Sequence, residues 1–237
     1  MKLKVCGVND AAFAVEAARL GADYLGFIFA PSSPRAVTPE AARRIVRAVR
    51  EAVSTPPRLV GVFVDQTVAE ILSVLRTVGL DIAQLHRRAT AADVAALRPA
   101  GREVWTLAGG APGDGVLFDS SHGDGETALR RGPYAAILAG GVSAANLAEK
   151  CACAPDVLDV SGSLESAPGV KSLPRLRAFV AAWVKCRRRD FPETDERLLA
   201  RAPPGLWPEA VPRRERTDRG PGTCCVACRL AAFLPWL

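Results

Sequence analysis

Two side chains capable of acid–base chemistry stand where short apolar runs of the chain end. Cys6 closes the run Leu3–Cys6, and Asp119 follows the run Gly115–Phe118. A thiolate can remove a proton from a carbon next to a carbonyl or imine, and a carboxylic acid can protonate a leaving oxygen. The pair therefore suggests proton transfer at carbon. Packing is the commoner role of a lone cysteine, and a turn or helix cap is an equal alternative for Asp119.

Glycine-rich turns follow the last two apolar runs. Gly140 and Gly141 stand in "LAGGVSAAN", and Ser161, Gly162 and Ser163 stand in "DVSGSLE". Such turns let backbone N–H groups approach an anion closely, and a helix that begins just beyond adds its positive end. The two turns predict a phosphate site. The alternative is that these glycines only make tight turns.

Other polar residues follow the remaining runs. Arg35 comes after Pro34 and can hold a carboxylate with two hydrogen bonds, the alternative being a solvated surface arginine. Gln84 and His86 lie at the end of the fourth run and are candidates for the wall of a pocket. The second histidine is His122, and the sequence shows no cluster of metal ligands. "CCVAC" holds one C-x-x-C without a second pair, so we expect no metal site.

Apolar runs alternate with helical segments along most of the chain, which is typical of βα units and a parallel sheet. Without Gly-x-Gly-x-x-Gly after the first run, a (βα)8 TIM barrel is favoured over a doubly wound sheet. The functional face of such a barrel lies at the carboxyl ends of the strands. The predicted strands are Leu3–Cys6, Tyr24–Phe29, Leu59–Val64, Ile82–Leu85, Glu103–Leu107, Gly115–Phe118, Ala135–Ala139 and Val157–Val160.

The helical segments carry their own boundary signals. Thr38, Thr90 and Ser143 are N-cap types, and glycines such as Gly79 mark ends. The stretch "AGGAPGD" is too short for a helix, so the fifth helix is expected to be absent. The predicted helices are Ala11–Leu20, Pro39–Ala52, Val68–Val78, Ala91–Leu97, Glu126–Arg130, Ala144–Lys150 and Leu173–Lys185.

Composition separates a barrel domain, residues 1–185, from an extension, 186–237. Residues 1–184 carry a net charge of +2, whereas 185–237 are Pro- and Arg-rich with a net charge of +4. We expect the extension to be largely disordered and the chain to bind no nucleic acid, because acids are interspersed among its basic residues. No apolar run reaches the roughly 18 residues of a membrane span, and seven cysteines suggest reduced thiols. A cytoplasmic protein without a membrane partner is expected.

Several motifs, in this order and spacing, resemble the phosphoribosylanthranilate isomerase family of tryptophan biosynthesis over residues 2–184. They are "KVCGVNDAAFAVEAARLGADYLGFIFAPSSPRAVTPEAA", "VGVFVDQT", "QLH", "LFDS", "ILAGGVSAANL" and "DVSGSLESAPGVK". The resemblance implies a (βα)8 barrel that uses no cofactor or metal. Its reaction would be an Amadori rearrangement of N-(5-phosphoribosyl)anthranilate to 1-(2-carboxyphenylamino)-1-deoxyribulose 5-phosphate, with a phosphorylated small molecule as partner and a monomer or homodimer as assembly.

The same resemblance implies roles for individual residues. Cys6 in "KVCG" matches the family's general base, and Asp119 in "LFDS" matches its general acid. Arg35 in "SPR" corresponds to the arginine that faces the anthranilate carboxylate. Gly140–Gly141 and Ser161–Gly162–Ser163 correspond to the phosphate loops.

The chain also departs from the family's pattern. "QLHRRAT" lacks the Gly-Asp-Glu that usually follows "QLH", "HGDGETALRR" is a shortened loop, and Ser-Gly-Ser replaces the common Ser-Ser-Gly. These changes should affect loop closure and substrate affinity. One alternative is therefore a degenerate phosphate-binding barrel that acts as an interaction module. Another is a related sugar-phosphate isomerase with two aspartates, which a cysteine at position 6 disfavours.

Overall fold

The computed structural model describes residues 1–100, 102–120, 129 and 132–190. Within them, eight parallel strands form a closed barrel in sequential order, and β1 pairs with both β2 and β8. The predicted TIM barrel is therefore confirmed. The strands are β1 Lys2–Val5, β2 Tyr24–Ile28, β3 Arg58–Phe63, β4 Ile82–Leu85, β5 Glu103–Leu107, β6 Gly115–Asp119, β7 Ala135–Ala139 and β8 Val157–Val160.

Two apolar clusters hold the barrel together. The larger one packs the outer faces of the strands against the helices. The smaller one consists of strand residues alone and fills the barrel interior, where the Tyr24 and Trp105 rings meet edge to face with centroids 5.0 Å apart. Residues two apart on a strand face the same side. Ile82, Leu117 and Val157 belong to the inner cluster, and the residue two positions after each also points into the barrel. These residues are Gln84, Asp119 and Asp159, and they lie at the carboxyl end of the barrel.

Six α-helices lie in the described part of the chain. As predicted, no helix joins β5 to β6, because residues 108–114 contain only turns and coil. Residues 121–128, 130 and 131, which hold most of the predicted helix Glu126–Arg130, lie outside the described residues. The helices are α1 Ala11–Arg19, α2 Pro39–Ala52, α3 Val68–Val78, α4 Ala91–Leu97, α5 Leu147–Ala152 and α6 Leu173–Asp190.

Most boundary signals act as expected, with one exception. The Thr38 and Thr90 hydroxyls accept hydrogen bonds from the first turns of α2 and α4, and Gly79 ends α3 in the left-handed region. Ser143 was wrongly predicted as a helix N-cap, since α5 begins only at Leu147. Instead, the Asn146 side chain accepts hydrogen bonds from the Ser143 N–H and hydroxyl, which turns the chain before the helix.

Helix α6 continues past residue 185, the predicted end of the barrel domain. Helix α6 continues to Asp190, and the Arg187 guanidinium lies 5.0 Å from the ring of Trp183. The first residues of the predicted extension therefore belong to the helix. The remainder, from 191 onward, lies outside the described residues. Across the described part of the chain, no helix combines the length and apolarity that a bilayer span requires.

A small antiparallel hairpin follows β8 and was not predicted. Its strands are β9 Glu165–Ala167 and β10 Val170–Lys171. Gly169 in its turn accepts a hydrogen bond from the Asn9 side chain at 2.8 Å, and its backbone approaches Pro34 so closely that a Cβ would collide. The hairpin is thus tied to the loops after β1 and β2, and it carries Glu165 and Lys171 to the barrel mouth.

Candidate active site

A cavity of about 550 Å³ opens at the carboxyl ends of the strands. Residues that the sequence places far apart, on strands and loops all around the barrel, line it together. Every predicted site residue lies in its wall, namely Cys6, Arg35, Gln84, His86, Asp119, Gly140, Gly141, Ser161, Gly162 and Ser163. The cavity walls also include Asp159, which the sequence analysis did not single out.

Cys6 lies just beyond β1, which ends at Val5, one residue earlier than the predicted strand Leu3–Cys6. Its N–H donates to the Val160 carbonyl at 2.8 Å, so the backbone is fixed by β8. Only 6% of the residue is exposed. Burial raises the pKa of the thiol because it disfavours the thiolate, and the nearby Lys4 ammonium opposes that rise.

Lys4 and Asp159 form an ion pair inside the barrel, beneath Cys6. They face each other across the β1–β8 ladder, with Lys4 Nζ 2.6 Å from Asp159 Oδ2 and exposures of 0% and 7%. The second carboxylate oxygen, Oδ1, is buried without a hydrogen-bond partner among the described residues. Sequence reasoning missed this pair. The available signal was the spacing of Lys4 from Cys6, which puts both on the same face of the strand.

Asp119 ends β6 with its side chain in the cavity wall. Its Oδ2 lies 3.7 Å from His86 Nε2, a residue that follows β4. Gly140, on the loop after β7, passes so close that a Cβ there would lie 2.5 Å from Asp119 Oδ1, and its φ is +82°. Only glycine meets both requirements, so Gly140 makes the room in which the carboxyl stands.

Arg35 is not a solvated arginine. Its Nε and Nη2 donate to the two carboxylate oxygens of Glu165 at 2.6 and 2.8 Å, and Lys171 Nζ lies 2.8 Å from Glu165 Oε1. One edge of the guanidinium is thus already occupied. A substrate carboxylate would meet the remaining edge, which carries Nη1.

Charge pairing shifts the pKa values of this cluster. Burial alone would raise the pKa of Glu165, but hydrogen bonds from Arg35 and Lys171 outweigh it and lower the pKa. Burial lowers the pKa of Lys171 despite the pairing with Glu165. Neither Glu165 nor Lys171 was among the predicted site residues, although both stand in the motif "DVSGSLESAPGVK".

The two glycine-rich loops lie side by side and are tied together. The Ser163 hydroxyl donates to the Val142 carbonyl at 2.7 Å, which joins the loop after β8 to the loop after β7. A short 3-10 helix, Gly162–Leu164, begins directly after Ser161. Helix α5 begins several residues past Gly141, so the expected positive helix end does not directly adjoin that turn. A Cβ at Gly141 would meet no atom within 4 Å, so open space lies in front of it.

Gln84 lies at the floor of the cavity. It is 2% exposed, and its Oε1 has no hydrogen-bond partner in the described part of the chain. A buried amide oxygen without a partner carries a free-energy cost of roughly 1–3 kcal/mol, which a ligand hydroxyl could remove. Among residues 1–100, 102–120, 129 and 132–190, no three His, Cys, Asp or Glu side chains gather as a metal site would require.

The chain is similar to known proteins over most of its length. A sequence model of the family N-(5'phosphoribosyl)anthranilate (PRA) isomerase matches residues 3–182. The N-(5'-phosphoribosyl)anthranilate isomerase of Pelodictyon phaeoclathratiforme is 35% identical over 212 residues, which span 76% of this chain and 96% of that protein. The phosphoribosyl anthranilate isomerase of Thermus thermophilus gives a TM-score of 0.67 at 33% identity, covering 79% of this chain and 100% of the other.

A further solved structure bears on the cavity. It is a phosphoribosyl anthranilate isomerase in complex with reduced 1-(o-carboxyphenylamino)-1-deoxyribulose 5-phosphate. Its TM-score is 0.62 at 25% identity, with 77% of this chain and 98% of that chain covered. The chain therefore spans nearly the full length of each of these relatives.

Proposed function

We propose that Cys6 is the general base and Asp119 the general acid of the reaction that this chain carries out. The chain belongs to the N-(5'-phosphoribosyl)anthranilate isomerase family. The reaction is the Amadori rearrangement of N-(5-phosphoribosyl)anthranilate to 1-(2-carboxyphenylamino)-1-deoxyribulose 5-phosphate, a step of tryptophan biosynthesis. The observation that carries the proposal is that Cys6, Asp119, Arg35 and both glycine-rich loops share one cavity.

The first step is opening of the ribose ring. Asp119, as the carboxylic acid, gives its proton to the ring oxygen, the C1–O bond breaks, and the nitrogen lone pair forms a C1=N bond. The ring oxygen leaves as the C4 hydroxyl, and the positive charge resides on the iminium nitrogen. The side chain that protonates must reach the ring from the barrel mouth, where Asp119 lies at the end of β6.

The second step is removal of the C2 proton. The Cys6 thiolate takes this proton, and the C–H electrons form a C1=C2 bond while the C=N electrons return to nitrogen. The resulting enolamine becomes the ketone by gaining a proton at C1 and losing one from the C2 hydroxyl. Proton exchange with solvent returns the thiol proton and reloads Asp119, so the cycle consumes no net proton.

The ends of the cavity fix the two ends of the substrate. The remaining edge of Arg35 faces the anthranilate carboxylate, and the joined loops around Gly141 and Gly162 hold the phosphate with backbone N–H groups. Gln84 Oε1 accepts a hydrogen bond from a sugar hydroxyl, and His86 forms part of the wall beside Asp119. Holding both anionic ends places C2 next to the sulfur before any bond changes.

The experiment is a steady-state assay of anthranilate fluorescence with substrate made in situ. We expect Asp119→Asn and Cys6→Ser each to lower kcat by at least about a hundredfold, the typical contribution of a general acid or base. The matched controls are Asp10→Asn, because asparagine also caps α1, and Cys153→Ser outside the cavity. Both controls should keep the parent rate.

Parent protein that turns over no faster than either variant would refute the assignment. Calorimetric binding of the reduced product analogue without turnover would then favour the phosphate-binding module. We also propose that the protein works in the cytoplasm, since thiols such as Cys6 stay reduced there. The expectation of a monomer or homodimer stays a prediction, which light scattering would test.

A further inference from the structure

We propose that Lys4 is a positioning residue for the base: paired with Asp159 beneath Cys6, its ammonium stabilises the thiolate form of the sulfur. The inference rests on the proposed role of Cys6, and it adds what helps a buried thiol to ionise. Lys4 itself is fully buried and is not among the residues that line the cavity. It acts through the sulfur.

The first support is the geometry of the barrel floor. Lys4 and Asp159 lie in register on adjacent strands, with Nζ and Oδ2 2.6 Å apart. The Lys4 ammonium also acts electrostatically on the Cys6 thiol. A Cβ at Gly26 on β2 would lie 2.8 Å from Cys6 Sγ and 3.2 Å from Lys4 Cε, so glycine leaves room for the sulfur and the lysine chain at one spot.

The second support is the energetic cost of this arrangement. Desolvating two charges costs several kcal/mol for each ion, and apolar residues of similar volume often replace a buried pair without loss of stability. The cost here is not fully offset, because Asp159 Oδ1 lacks a partner among the described residues. A fully buried lysine in the interior of a barrel is therefore better explained by its charge than by packing.

The third support is the balance of charges around Cys6. Burial raises the pKa of the thiol, Lys4 is the strongest opposing influence, Asp159 adds to the rise and Lys171 weakly counters it. Arg35 also interacts with the sulfur from the loop after β2, while its own partner is Glu165 on β9. The remaining charged neighbours act indirectly, and they are Asp119, which faces Asp159, and Glu165, which neutralises Lys171.

The test compares D159N with the double variant K4M/D159N. Both lack the Asp159 charge and neither leaves an unpaired buried carboxylate, so the two variants differ only in the Lys4 side chain and the charge it carries. Cys6 is alkylated with iodoacetamide from pH 5 to 10. Because the chain has seven cysteines, mass spectrometry follows only the peptide that contains Cys6. The pH profile of kcat/KM is measured beside it. K2M, on the same strand but beside Tyr24, is the control.

We expect the alkylation midpoint and the acidic limb of kcat/KM to lie about one unit or more higher in K4M/D159N than in D159N, the usual effect of one adjacent charge. D159N alone should move both to lower pH, because a negative neighbour is lost. A general loss of structure would instead shift the alkylation midpoints of D159N and K4M/D159N in the same direction from the parent value. K2M should match the parent.

Equal midpoints in D159N and K4M/D159N, with circular dichroism showing both folded, would overturn the inference. If K4M/D159N does not fold, K4M/D159L replaces the pair by apolar groups and is compared in its place. Failure of the proposed function is seen separately: an active Cys6→Ser protein removes the base assignment, while the alkylation midpoints still report whether Lys4 controls the sulfur.

Discussion

Glu165→Gln is the substitution that most directly tests how the barrel mouth is organised. The carboxylate receives two hydrogen bonds from Arg35 and an ion pair from Lys171, and only 3% of its side chain is exposed. Glutamine keeps the shape and one acceptor oxygen but removes the charge. Lys171, 1% exposed, would then be a buried cation without its carboxylate.

The expected loss of stability follows from these contacts. Removing one partner of a buried ion pair costs about 3–5 kcal/mol, and hydrogen bonds to charged groups contribute roughly 1.5–3 kcal/mol. Because Arg35 is 26% exposed and the amide retains one acceptor, we expect the lower end, about 3 kcal/mol of the unfolding free energy. The freed Arg35 should also raise KM about tenfold, equivalent to ~1.4 kcal/mol, with kcat changed less.

The stability lost on Glu165→Gln should depend on pH. Hydrogen bonds from Arg35 and Lys171 overcome the effect of burial and lower the pKa of folded Glu165 below its unfolded value of about 4.3. A depressed folded pKa stabilises the protein above the unfolded pKa, and this stabilisation disappears as pH falls through the folded pKa. The difference between parent and E165Q should therefore be largest near neutral pH and shrink below about pH 4.

Urea unfolding followed by tryptophan fluorescence at several pH values measures this difference. The matched control is Glu103→Gln, which breaks the half-exposed pair of Glu103 with Arg58 at 2.7 Å and should cost under about 1 kcal/mol. A cost for E165Q no greater than for E103Q, or one that stays constant from pH 7 to 3, would refute the reasoning.

Two further predictions concern the loop after β7 and the end of the chain. Gly140→Ala adds left-handed strain of about 1–2 kcal/mol and a collision with Asp119, so kcat should fall at least tenfold. Gly141→Ala adds similar strain, but its Cβ would enter open space, so this variant should lose stability with a smaller loss of kcat. Equal kcat values for the two variants would contradict this in the fluorescence assay. Ending the chain after Asp190, where α6 ends, should leave kcat and Tm unchanged, whereas Trp183→Ala removes a fully buried indole and should cost about 3–5 kcal/mol in thermal unfolding. A large drop in Tm on truncation would show that the extension supports the barrel.

Much of the barrel could be predicted because its signals are local. Each strand is a short apolar run, each βα turn carries glycine or a capping residue, and "AGGAPGD" has no length for a helix. Errors occurred where two local signals competed. Ser143 is a residue type that often caps helices, but its N–H donates to the Asn146 side chain, and α5 begins only after Asn146.

The candidate site could be predicted for a similar reason. In a closed parallel barrel the carboxyl ends of all strands meet at one mouth, so polar residues at those ends come together wherever they lie in the sequence. Cys6, Arg35 and Asp119 therefore share a cavity as the order of the strands required. Their proposed roles follow from residue type and the family's pattern.

Only the tertiary structure decided which charges pair. Lys4 and Asp159 are 155 residues apart, and closure of β1 onto β8 makes them neighbours. Glu165 reaches Arg35 across 130 residues through a hairpin that has no strong strand signal. A charge shows in the sequence, but its partner and its desolvation depend on which strands are adjacent in space. The sequence thus determined the barrel and its mouth, and folding determined the electrostatics of the base and of the arginine.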